Sequence, residues 1–94
     1  MHENQRKFFL KTDVVFQPMD DSAIIVSLAS EEIYKLNLTG TRVVKLIEEQ
    51  HPLNEIITIL SEEFAVDHNE LVEEVMQLID QLQTANLIEE ISEK

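Results

Sequence analysis

The sequence predicts an α+β domain, a three-stranded antiparallel sheet followed by three helices, and two observations predict it. Up to Asn37 the apolar residues recur with a period near two, and after Asn37 the period is helical. The change falls inside IYKLNLTGT, residues 33–41, which also holds the only tyrosine and the only glycine of the chain.

Each strand has its own boundary signals. DVVFQPM (13–19), AIIVSL (23–28) and EIYKLN (32–37) are rich in Val, Ile, Phe and Tyr, and DDS (20–22) and ASE (29–31) between them have the composition of turns. Short connections make the three a meander. Pro18 has no N–H to give to a ladder, so it belongs at the end of its strand or on a sheet edge. The residues before Thr12 either extend the first strand or stay loose.

The helices follow. Asn37 suits an N-cap, because its side-chain oxygen can accept from the unpaired amides of a first turn. The spacing predicts a helix over about 38–49 with Leu38, Thr41, Val43 or Val44, and Ile47 on its buried face. Gly40, near its start, allows neighbouring backbone to come close. Pro52 ends that helix and opens a second, whose Leu53, Ile56, Ile57, Leu60 and Phe64 form one stripe. Asp67 or Asn69 caps a third helix over about 68–85, Glu70 sits in its first turn where the helix dipole favours an acid, and Asn86 ends it. LIEEI (87–91) packs back as a tail or a short strand. The third helix carries more apolar surface than one seat needs. Leu71, Val75, Leu78, Leu82 and Ala85 make one stripe; Val72, Met76 and Ile79 make a second, which either widens the buried face or walls a groove for a peptide.

Composition narrows the functions. The 94 residues, 44% hydrophobic and 28% charged, suit a single folded domain spanning 1–94 with its core over about 12–91. A chain this short buries only about 60–65% of its unfolded surface, which leaves little room for an enclosed catalytic pocket. There is no cysteine, hence no disulfide, thiolate ligand or thiol nucleophile, as suits a reducing cytoplasm. No window approaches the ~20 apolar residues of a membrane span, and the first residues lack the apolar centre of a signal peptide, so a cytoplasmic protein is expected. The charge is uneven. Residues 1–47 balance six acids with six bases, whereas residues 48–94 hold thirteen acids against Lys94 alone, so the whole net charge of −12 lies in the second half. Such a surface aids solubility or steers a basic partner.

No catalytic or metal constellation is legible. His2, His51 and His68 lack partners at i, i+3 or i+4 of the kind a metal pair needs. Glu62 and Glu63, like Glu73 and Glu74, are helical neighbours whose side chains splay about 100° apart and cannot share acid–base work. The serines lack a glycine-flanked elbow, and one glycine cannot form a phosphate-cradling loop. The expectation is a non-enzyme without cofactor or metal.

Three strands with three helices are winged-helix-like, which raises nucleic acid as a partner. The third helix would then enter the major groove, yet it has Asp67, Glu70, Glu73, Glu74 and Asp80 in or beside it and no Lys or Arg. Phosphates need cations, so this surface repels them, and no nucleic acid is expected as a partner.

IYKLNLTGTRVVKLIEE, PLNEIITILSEEFAVD and LVEEVMQLIDQLQTANLIEE, in that order, resemble the PqqD-like family. That family has an aromatic-containing strand ending in Leu-Asn, a helix after it, a helix of the type xxxEIxxxL, and a last helix ending LxxxxLI. The likeness runs over about residues 12–91; Val44 stands where the family often has Trp. It implies a RiPP recognition element, which binds the leader segment of a ribosomally made precursor peptide. The leader adds as a strand beside the third strand, its side chains in the cleft against the third helix. By position this implies Glu32, Ile33, Tyr34, Lys35 and Leu36 on the strand, and Val72, Met76 and Ile79 on the helix. A free-standing domain is most similar to the leader-binding subunit of lasso peptide biosynthesis, which works with a leader protease and a cyclase. The alternatives are a peptide chaperone for a radical SAM enzyme in pyrroloquinoline quinone or sactipeptide maturation, and an acidic mimic of nucleic acid.

Overall fold

The computed structural model describes residues 6–91. The elements are β1 (Phe8–Leu10), β2 (Val14–Pro18), β3 (Ala23–Ser27), β4 (Glu32–Leu36), α1 (Leu38–Glu48), α2 (Leu53–Glu63), α3 (His68–Thr84) and β5 (Ile88–Glu90). The expected antiparallel meander is present in the order β2-β3-β4, followed by the three helices. Pro18 is the last residue of the edge strand β2, where its missing N–H leaves no gap in the ladder.

The alternation of side chains gives the sheet one face toward the helices. On that face Ser27, Ile25 and Ala23 of β3 stand between Val14, Phe16 and Pro18 of β2 and Glu32, Tyr34 and Leu36 of β4. Ala23 and Ile25 are fully buried there against the helices. Val15 and Ile33 flank Val26 on the other face and are exposed.

The caps explain where the helices begin and end. Gly40 N–H donates to Asn37 Oδ1 at 2.9 Å and Thr41 Oγ1 donates to the Asn37 carbonyl at 2.8 Å, so Asn37 stops β4 and starts α1 within one residue. Asp67 accepts from Glu70 N–H at 3.4 Å and caps α3; Pro52 precedes α2. At the other ends, Gln50 and Asn86 take left-handed backbone, with φ of 70° and 64°. His51 N–H then reaches the Leu46 carbonyl and Leu87 N–H the Leu82 carbonyl, which satisfies the last carbonyls of α1 and α3. Glutamine pays for this backbone with side-chain crowding that glycine lacks. Gln50→Gly is therefore expected to stabilise the fold by about 0.5–1 kcal/mol, read as a higher urea midpoint at unchanged slope.

Two parts of the sequence reading are corrected. Of the described residues before Thr12, Phe8–Leu10 neither extends β2 nor stays loose but is a separate strand, whose partner is β5, in the register Phe8↔Glu90 to Leu10↔Ile88. Phe8, Leu87 and Ile88 are buried and close the core, β1 against α1 and β5 against α3. Leu38, placed on the buried face of α1 by spacing, is 43% exposed because it is the first residue of the helix; Val43, Val44, Leu46 and Ile47 do the burying.

Arg42 forks onto Glu63 (Nε to Oε1 2.9 Å) and ties α1 to the end of α2. The hydrogen bond from Arg42 holds the Glu63 carboxyl below its ordinary 4.5, with partial burial opposing it. A carboxyl lowered on folding stabilises the fold above its unfolded value, and this is lost as pH falls through the folded one. Glu63 is 37% exposed, so water and salt screen the pair to at most about 1 kcal/mol. Glu63→Gln is expected to lose that amount at pH 7, and the gap between the two proteins should close as pH falls below about 4.5, measured by urea unfolding.

Candidate functional site

Among the described residues, one side of β4 has no strand beside it in the sheet, while β3 occupies the other. The free side of β4 thus offers N–H and C=O groups along Glu32–Leu36, and a hollow of about 510 Å³ lies between this strand and α3. Tyr34, Lys35, Leu36 and Asn37 line it from the strand; Leu78, Gln81, Leu82 and Ala85 line it from the helix, and Leu87 completes it. A smaller hollow continues it past Asn37 to Thr39, Gly40, Glu74 and Gln77. At the other end Tyr34 and Ala85 are shared with a third hollow, of about 480 Å³, which includes Lys11, Asp13, Glu32 and Asn86. The three adjoin through these shared residues and form a groove between the inward side of β4 and α3, which at the Glu32 end runs under the sheet toward Asp13 and Ser27.

Local structure explains the lining. Leu36 points inward at the end of β4 and is buried beneath the start of α1. A Cβ on Gly40 would lie 3.2 Å from Leu36 Cδ2 and 3.3 Å from Asn37 Oδ1, so the glycine makes room for the leucine and for the cap together. Its φ is not positive; space is the reason for it. Tyr34 is half-buried and its O–H donates to the Glu32 carboxylate, which holds the phenol above its ordinary 10.0. Lys11 Nζ donates to Asn86 Oδ1 at 3.2 Å across the polar end.

The family model for Coenzyme PQQ synthesis protein D (PqqD) matches residues 22–88, from the start of β3 to β5. The chain belongs to the PqqD family. Its PqqD fold is similar to two solved structures. One, described as TbiB1 in complex with the TbiA(beta) leader peptide, is 22% identical, with a TM-score of 0.82 over 90% of this chain and 99% of that one. The other, a lasso peptide synthetase B1 complexed with the leader peptide, is 18% identical, with a TM-score of 0.79 over 88% and 98%. No curated protein matches the sequence.

In this PqqD fold the residues expected to form the site do not all meet. Tyr34, Lys35 and Leu36 line the groove, and Glu32 lies in its polar end. Ile33 points to the outer face and is 65% exposed. On α3 the two stripes exchange members. Ile79 is 1% exposed and joins Leu71, Val75 and Leu82 in the core, while Leu78 leaves the core stripe and lines the groove. Val72 and Met76 are half-buried against the core and line none of the three hollows. Each residue turns a helix by about 100°, so Met76 stands about 200° from Leu78 and cannot share its wall. Sequence reasoning misses Leu78, Gln81, Leu82 and Ala85 on this wall: Leu78, Leu82 and Ala85 carry the three-and-four spacing of the core stripe, and the polar Gln81 carries no signal of its own.

His51 Nδ1 lies 2.9 Å from Glu55 Oε1 and His68 Nδ1 3.3 Å from Ser61 Oγ, both away from the groove; His2 lies outside the described residues. Among the described residues no group of three or more His, Asp or Glu is placed to hold a metal, and no helix is long and apolar enough to cross a membrane.

Proposed function

We propose that this chain is a non-catalytic, cytoplasmic RiPP recognition element. It captures the leader segment of a ribosomally made precursor peptide as an added strand on β4 and delivers it to a leader protease and a cyclase in lasso peptide biosynthesis. The observation that carries the reading is the conjunction of a free strand edge with an apolar groove alongside it. An extended peptide satisfies the unpaired backbone groups of the edge, and its alternate side chains enter the groove, so one element supplies affinity and the other choice of sequence. Both similar structures were solved with leader peptides bound, and both share the fold over nearly their whole length. The description of the matched family favours a second reading, in which the same groove serves pyrroloquinoline quinone synthesis and the partner is a radical SAM enzyme.

The test is a selection of displayed random 12-residue peptides on the full chain, followed by amide hydrogen exchange with the enriched peptides bound. Slowed exchange at alternate amides of residues 32–36 is expected, since antiparallel or parallel pairing engages every second residue of a strand edge. Peptides that bind but slow exchange only elsewhere would sink the strand-addition reading. Pull-down with a lasso cyclase and leader protease, against a radical SAM maturase, separates the two pathways.

A further inference from the structure

Tyr34 divides the groove into two compartments of different chemistry. On the Asn37 side it faces Leu36, Leu78, Leu82 and Leu87. On the other side the lining turns polar and holds three charged groups, Lys11, Asp13 and Glu32. Lys11 already donates to Asn86, and Glu32 accepts from Tyr34. Among the described residues neither Asp13 nor Glu32 is paired with a cation. Because Glu32, Tyr34 and Leu36 alternate along β4, all three present to the groove face at the same two-residue period that an added strand would have.

We infer that the polar compartment is a second subsite that takes a Lys or Arg side chain of the bound peptide. The inference rests on the strand-addition reading above. One base against two acids leaves the compartment with a formal charge of −1, so a cation brings it to neutrality while an acid would raise the repulsion. A long basic side chain on an added strand stands beside Glu32, whose carboxylate a guanidinium can fork onto, while Asp13, just before β2, adds to the negative field of the compartment. The strand period fixes where that residue stands. An inward peptide side chain beside Glu32 is two residues from one beside Tyr34 and four from one beside Leu36, so the cation and the apolar anchor are separated by an even number of positions. The subsite thus reads a spaced pair rather than a single anchor.

The enriched 12-residue peptides of the selection test this. They are expected to carry Lys or Arg two or four residues from a large apolar residue. Changing that cation to Ala should weaken binding to the wild type about fivefold, the upper range for a partly exposed ion pair, and changing the apolar residue to Ala about 30-fold or more. In the double variant Asp13→Asn, Glu32→Gln the cation-to-Ala effect should shrink below twofold while the apolar effect stays. Peptides that slow exchange on β4 but lack an evenly spaced cation overturn the subsite and leave strand addition standing. An undiminished cation effect in the double variant overturns it too. If no peptide slows exchange on β4, the strand-addition reading falls first and the subsite with it.

Discussion

Leu78→Glu is expected to melt within about 8 °C of the wild type and to lose peptide binding by at least about 100-fold. Leu78 is half-buried in the free protein, at the rim of the groove, so its carboxylate can turn to water at a cost of about 1 kcal/mol, which corresponds to 4–8 °C in a domain of this size. Once a peptide fills the groove the same charge is enclosed beside apolar side chains without a partner, and 100-fold, about 2.8 kcal/mol, is a modest penalty for that. Met76→Glu is the control. Met76 is half-buried on the opposite flank of α3, so its variant should bind within about threefold of the wild type whatever happens to its melting temperature. Thermal melts and fluorescence titrations with an enriched peptide decide between the flanks: loss of binding in a folded Met76→Glu protein, with Leu78→Glu binding normally, would place the site on the other side of the helix.

Phe8→Ala is expected to cost about 3–5 kcal/mol, the range for removing a large aromatic side chain from a core that cannot collapse around the gap. Phe8 is 2% exposed, sits on a three-residue strand and carries the Arg6 guanidinium over its ring at 5.2 Å. A domain of this size is stable by only about 5–10 kcal/mol, so this one change removes about a third of the total or more and also frees β5. Urea unfolding measures it. A loss below about 1 kcal/mol would mean that β1 and β5 are an attachment rather than part of the core.

What the sequence makes legible follows the range of the interaction. The meander and the three helices come from periods and caps that act within a few residues; Asn37 shows its role through the fold's own hydrogen bonds to Gly40 and Thr41. β1 stays hidden, and residues 87–91 read only as a tail or a short strand, because three residues cannot display an alternation and each strand has its partner at the far end of the chain. The exchange of Leu78 with Ile79 has a different cause. Both lie one turn from Val75, at +3 and +4, and either completes a helical stripe; contact with the rest of the core decides, and it selects Ile79. The polar compartment is invisible for a third reason, since it gathers residues 11–13, 27–32 and 84–86, which share no motif.

The pairing of β1 with β5 also sets how the molecule answers mechanical load. Phe8 lies opposite Glu90, so the chain enters β1 and leaves β5 at the same end of the ribbon. Tension applied through the two ends pulls that ribbon open from its mouth, one ladder bond after another, instead of shearing all of them at once. The first resistance is the Arg6 fork onto Glu90, at 2.9 and 3.1 Å, with the Ile91 amide on the Lys7 carbonyl beside it. The β4 edge belongs to the other sheet, so a tug on a tether undoes the clasp while the meander still holds its shape.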